Sequence, residues 1–226
     1  MAENQNSSNL DLENTISKSE DFINKNKKSL LIIVGAVLVG IIGIWYYNGV
    51  YLKDKEKEAA AAMYKAEDYF AKDSLKLALD GDGSAMGFAA IADEYSMTKS
   101  GNLAHYYAGM TLLKLGRFQD AIEKLSGYDA DDLITPSLAL GAIGDAYLEL
   151  NNMDDAISYY RKASKEKVNN FSTPIMLQKL ASALELKGDN KEAAEIYRSI
   201  KKDYPSSQEG QNAEKYASRA EAKIAS

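Results

Sequence analysis

LALGAIGDAYLELNNMDDAISYYRKA, residues Leu138–Ala163, decides the fold. Apolar or small residues fall at Leu140, Ile143, Gly144, Tyr147 and Leu150, the 3.6-residue period of one helix face. The pattern breaks at Asn151-Asn152 and resumes with Ala156, Tyr160 and Ala163 on a second helix. Small residues at Gly144 and Ala156 place the closest approach of two antiparallel helices there. The large Tyr147 and Tyr160 are expected to fill space towards neighbouring pairs. A single hairpin of this kind cannot bury its apolar stripe, so the reading requires further copies on either side.

Those copies are present. GNLAHYYAGMTLLKLGRFQDAIEKL puts Gly109 in the register of Gly144 and Ala121 in that of Ala156, 35 residues earlier. Downstream, TPIMLQKLASALELKGDNKEAAEIYRSIKKDYP repeats the design, with Ala193 lying 37 residues beyond Ala156. That excess predicts a longer loop after Glu166. Pro174 suits the first turn of its helix, and Pro205 terminates the returning one. Glu209–Lys223 reads as a capping helix that shields the end of the stack. Upstream, a divergent pair is expected from a linker helix over Tyr51–Leu79 and a second helix over Ser84–Tyr95. Asp80–Ser84 forms a turn between them, and Ser84 serves as N-cap. A small-large pattern kept in register at about this period is the signature of tetratricopeptide repeats. The predicted class is all-α: a single transmembrane helix followed by a tetratricopeptide-type α-solenoid.

The anchor is read from Ser29–Leu52, which carries no charge, and Leu30–Trp45 is almost wholly Leu, Ile, Val, Gly and Ala. At about 1.5 Å per residue, such a segment spans the roughly 30 Å hydrocarbon layer. Trp45, Tyr46 and Tyr47 close it as an interfacial aromatic belt. The run is longer than a signal-peptide core and is followed by aromatics rather than a small-residue cleavage site, which favours a retained anchor. The expected organisation is a disordered cytoplasmic tail over residues 1–28, a transmembrane helix over 29–52, and the repeat domain with its capping helix over 53–226. By count the lysines nearly tie, Lys18, Lys25, Lys27 and Lys28 before the span against Lys53, Lys55, Lys57 and Lys65 after it. Lys25, Lys27 and Lys28 abut the span without an intervening acid, while the later ones alternate with Asp54, Glu56 and Glu58. This leans towards a tail inside and a periplasmic C-terminal domain on a single-pass bacterial inner-membrane protein. Ala36 and Gly40 form a small-x3-small pair suited to packing against another transmembrane helix.

The 226 residues carry a net charge of −6, which offers no electrostatic footprint for nucleic acid. With no Cys and a single His, His105, the usual residues cannot assemble a thiolate nucleophile or a zinc site. His105 falls at a packing position. The Asp80–Asp82 fragment faintly resembles a calcium loop but lacks the closing acid, since the twelfth position is Ile91. No catalytic residue, cofactor or metal is expected. Function is expected instead from the groove lined by the first helix of each pair. Tyr106, Met110 and Leu113 (with Leu103) should face it from the first matched pair, and Asp145 and Leu148 (with Leu138, Gly141 and Glu149) from the second. Gln178, Ser182 and Glu185 (with Ile175) follow from the third. Mixed apolar, amide and acidic groups suit capture of an extended peptide or protein, with the acids leaning towards basic partners. The alternative is a structural or assembly subunit of another cell-envelope complex, packed through Ala36 and Gly40.

In layout the chain resembles the membrane-anchored ancillary subunit of the bacterial SecYEG translocon (YfgM-like). Both have a short tail, one span at Leu30–Tyr47, an alanine-rich helix at Ala59–Ala62, and repeats to the C-terminus. The segment FAAIADEYSMTKSGNLAHYYAG, Phe88–Gly109, is similar to that family's divergent repeat. The resemblance implies a membrane-anchored adaptor that presents its repeats to exported polypeptides or periplasmic chaperones beside the translocon. It also implies that Phe88, Gly101, Ala104 and Gly109 define the fold rather than bind.

Overall fold

A computed structural model describes the backbone of residues 3–224 and the side chains of residues 24–224. The chain divides into two units, residues 1–54 and 55–226. In the first, α1 runs Glu3–Tyr46, followed by a π-helical turn at Tyr47–Tyr51. From Leu31 to Tyr46 its large apolar side chains are exposed, and this helix is long and apolar enough to cross a membrane. The segment read as a disordered tail is therefore helical from Glu3 onward. No Pro or Gly precedes Gly35, and a helix already nucleated in the apolar segment extends at the small cost of propagation.

Among its described residues the second unit is built of helices, with one isolated antiparallel bridge between Gly81 and Met86. Its elements are α2 (Leu52–Ala71), α3 (Leu75–Asp80), α4 (Phe88–Glu94), α5 (Lys99–Lys114), α6 (Phe118–Ser126) and α7 (Thr135–Glu149). They continue through α8 (Met153–Ala163), α9 (Ser172–Lys187), α10 (Asn190–Asp203) and α11 (Gln208–Ile224). Pairs α5/α6, α7/α8 and α9/α10 are closed by short turns, and α11 packs against α10 and α9 as the cap. First helices also touch across pairs, α5 with α7 and α7 with α9. The core consists of three adjoining clusters, centred on Phe88 and Ile91, on Leu125 and Ile143, and on Tyr160, Leu184 and Tyr197.

Ala121, Ala156 and Ala193 are all fully buried, as equivalent crossing points of three pairs must be. What their partner positions accommodate differs from the expectation. A Cβ on Gly144 would lie 2.6 Å from Cε1 of Tyr160, and one on Gly109 would lie 2.4 Å from Cγ of Leu125. Those glycines thus admit a large side chain of the returning helix, not merely its backbone. Tyr160 packs inside its own hairpin, while Tyr147 stacks on Tyr159 with centroids 5.3 Å apart.

Three further expectations are corrected. The helix over Tyr51–Leu79 is interrupted at Lys72–Ser74, where Asp73 takes φ 55°. The next helix begins at Phe88 rather than Ser84, because Asp82 folds the preceding turn onto itself. Its Oδ1 accepts from Ser84 N (2.9 Å), Ser84 Oγ (2.8 Å) and Ala85 N (2.7 Å). Gly87 then passes the backbone of Leu79 so closely that a Cβ would meet Leu79 O at 2.2 Å. Finally, the connections 127–134 and 164–171 are of equal length, and the longer period after Ala156 comes mainly from α8 running further beyond the crossing than α6 does.

Candidate functional site

The face built by α5, α7, α9 and α11 carries the candidate residues. Leu113, Asp145 and Leu148 come together around one cavity of about 460 Å³, joined by Phe118 and Glu149. Ser182 and Glu185 line a second, of about 310 Å³, with Leu186, Arg219 and Lys223. Tyr106 and Met110 lean on the Leu125–Ile143 cluster. The Tyr106 ring lies 5.8 Å from that of Tyr107 and 5.3 Å from that of Tyr128. Gln178 is half-buried on α9. Gly141 is not a surface position. It is buried beneath Met176, whose Sδ a Cβ there would meet at 2.4 Å.

Both acids are already engaged by the fold. Asp145 accepts the Tyr160 hydroxyl (2.7 Å) and Lys179 Nζ (2.6 and 2.9 Å), linking α7, α8 and α9. Glu185 is 8% exposed and takes Arg219 through two hydrogen bonds, 2.9 and 2.6 Å, with Lys223 at 2.7 Å. Burial pushes the Glu185 carboxyl up, but hydrogen bonds from Arg219 and Lys223 outweigh it and hold the group below its ordinary value. Burial, reinforced by Asp145, raises the Tyr160 hydroxyl well above the usual range. Neither acid therefore offers an unpaired negative charge to a basic ligand. Around Glu185 two cations, Arg219 and Lys223, face one carboxylate.

The sequence reading missed these cross-pair partners, Lys179, Arg219 and Lys223, although each sits 34 to 38 residues beyond its acid, about one repeat away. It also missed a recurring corner. In YSMTKSG (Tyr95–Gly101), Thr98 Oγ1 donates to Tyr95 O (2.7 Å) and accepts from Gly101 N (2.9 Å). In YPSSQEG (Tyr204–Gly210), Ser207 Oγ donates to Tyr204 O (2.9 Å) and accepts from Gly210 N (2.9 Å). The shared spacing of Tyr, hydroxyl and Gly was the available signal. His105 sits against Gly127 with its Nδ1 buried and without a hydrogen-bond partner. Its pKa is lowered by burial, then by Lys124, as suits a packed neutral ring.

A tetratricopeptide repeat family model matches residues 142–208, from inside α7 to the start of α11. The fold is a tetratricopeptide-type α-solenoid. Among solved structures, the putative kinesin light chain of Podosopora anserina, described by its nearly identical TPR-like repeats, superposes with a TM-score of 0.53 at 12% identity. The match covers 77% of this chain and 87% of that one. MamA is also similar, at 17% identity and a TM-score of 0.48, covering 73% of this chain and 91% of that one. No curated protein matches the sequence. Tetratricopeptide-type solenoids are protein-interaction modules, scaffolds rather than catalysts. Among the described residues no group of three or more His, Asp or Glu could hold a metal ion.

Proposed function

We propose that the chain is a membrane-anchored adaptor whose tetratricopeptide groove captures an extended segment of a protein partner. The observation that supports it most is the pair of cavities on this face: in one, Leu113 and Leu148 offer apolar contact beside the paired charge of Asp145, and in the other Leu186 stands beside that of Glu185. Gln178, half-buried on α9, supplies an amide for a ligand backbone. In its finer form, the anchor crosses a bacterial inner membrane once, with the solenoid on the periplasmic side. Its clients would be exported polypeptides or periplasmic chaperones beside the Sec translocon. The resemblance in layout and the lysines before the span support this form.

A second reading, assembly through the span, is favoured by one feature of the helix itself. Ala36 is exposed, and Gly40 and Gly43 have open space where a Cβ would stand, so another helix could approach closely. Affinity capture of the full chain from detergent-solubilised membranes separates the two. Under the adaptor reading, Leu148→Ser with Gln178→Ala abolishes partner recovery and Gly40→Leu leaves it intact. Indifference to the groove changes, with loss on Gly40→Leu, overturns the groove in favour of the span. The orientation is tested by Lys191→Cys, at an exposed position near the start of α10, which an impermeant reagent must label in cells whose outer membrane alone is permeabilised.

A further inference from the structure

Because helices alternate in direction, one edge of the solenoid gathers every connection between pairs: 95–98, 127–134, 164–171 and 204–207. Hydrogen bonds tie the first three of these connections to their neighbours along the edge. The Glu56 carboxylate, near the start of the second unit, accepts from Ser100 N (3.1 Å) and Ser100 Oγ (2.7 Å). Asn102 exchanges two hydrogen bonds with Asp129. Lys167 reaches Asp131 at 2.5 Å, and Asn169 Nδ2 donates to Leu133 O at 3.0 Å. Asn169 further ties its own loop, accepting from Phe171 N and Ser172 N at 2.8 Å each.

These fixed loops carry apolar side chains out into solvent. Met97 is 70% exposed, Leu133 57%, Val168 63% and Phe171 59%. A loop held by its own hydrogen bonds gains no stability from such tips, so a run of them on one edge marks a contact surface. Chain connectivity identifies what lies within reach. Lys55 and Glu56 stand at this edge, with Lys55 Nζ 5.5 Å from the Tyr95 ring centroid, and three residues separate Lys55 from Tyr51 at the end of the apolar segment. Fully extended, that link covers only about 14 Å.

We infer that the edge bearing Met97, Leu133, Val168 and Phe171 docks on the surface of the bilayer that the chain's own span enters, seating these side chains among the lipid headgroups and upper acyl chains. The occupant is lipid rather than protein, because the tether alone supplies the effective concentration that a few shallow apolar contacts need. The nearby charges are of mixed sign, with Asp131 paired to Lys167, so the contact is apolar and insensitive to salt. The inference rests on the proposed anchoring.

The absence of native cysteine allows a direct test with the full chain in phosphatidylcholine vesicles. Spin labels are placed singly by Leu133→Cys and Phe171→Cys on the edge, by Leu186→Cys on the opposite edge, and by Ile41→Cys in the span. Accessibility to oxygen is compared with accessibility to a water-soluble nickel chelate. Docking predicts an oxygen-to-nickel ratio several-fold higher at 133 and 171 than at 186, unchanged by salt. It also predicts loss of that difference at a Val168→Cys label when Leu133→Asp and Phe171→Asp are added. If the label at 41 is in lipid while those at 133 and 171 match 186, docking is overturned and anchoring stands. If the label at 41 is itself in water, anchoring falls and docking with it. Shielding of 133 and 171 from both reagents that grows with protein density means contact between copies, and also overturns the inference.

Discussion

The Tyr160 hydroxyl donates to Asp145 Oδ1 at 2.7 Å, and one repeat later Tyr197 meets Ser182 across 3.1 Å. In the first matched pair the same two positions are Leu125 and Met110, both packed in one apolar cluster. Each pair thus fills the space opposite its small residue with one large side chain, and the residue at the mouth of that space follows the chemistry of its tip. A buried hydroxyl needs a partner, and a buried methyl does not.

Tyr160→Phe should therefore cost about 1 kcal/mol, the net value of one hydrogen bond, because Asp145 retains Lys179. Tyr160→Ala, which empties the space against Gly144, should cost about 3–5 kcal/mol. Urea unfolding of both variants checks the pair of values. Equal effects would show that the ring does not fill the hairpin.

Gly144→Ala and Gly141→Ala look alike in sequence but should behave differently. At 144 the added methyl meets the buried Tyr160 ring, and the clash of about 1–3 kcal/mol outweighs the gain in helix propensity. At 141 it meets Sδ and Cε of Met176, the far end of a flexible side chain, so the protein should be near neutral or slightly more stable. Thermal denaturation of the two variants decides it.

Gly101→Ala and Gly210→Ala should be more damaging than either of these. A Cβ at either site would stand 1.9 Å from a backbone oxygen, Tyr95 O or Tyr204 O, which cannot move without opening the corner. Losses above about 2 kcal/mol are expected from each, with hydrogen exchange first rising at the hydroxyl-bonded amides of residues 101 and 210 themselves. Full tolerance at either site would contradict the described corner.

The Glu185 carboxyl is held below its ordinary value in the fold, so its contribution is present above the unfolded-state pKa of about 4.3 and is lost as pH falls through the lower folded value. Glu185→Gln should cost about 1–3 kcal/mol at pH 7, since both cations keep access to water, and the deficit should shrink below about pH 4. Denaturant midpoints for wild type and variant at pH 7, 5 and 3.5 test this. A deficit constant across that range would mean the ion cluster is not what the substitution removes.

Much of this was legible without coordinates. The span, the three pairs and their Ala121, Ala156 and Ala193 crossings follow from periodicity and spacing, which are written locally along the chain. The candidate groove was legible as a list of faces but not as chemistry. Asp145 and Glu185 read as open acids because Lys179, Arg219 and Lys223 reach them only when the next helix is stacked alongside. The start of α4 was misplaced for a similar reason, since Asp82 turns the chain inward on itself before the helix can begin.

By itself, then, the sequence determined an all-helical chain, a segment apolar enough to cross a membrane, and a repeat period, because helix formation and burial by period depend on neighbours three and four residues away. Only the tertiary structure decided which large side chain enters which glycine gap, which acids are neutralised, and which loops are tied to one edge. Those outcomes depend on residues a whole repeat apart, whose distances are set by how the helices stack.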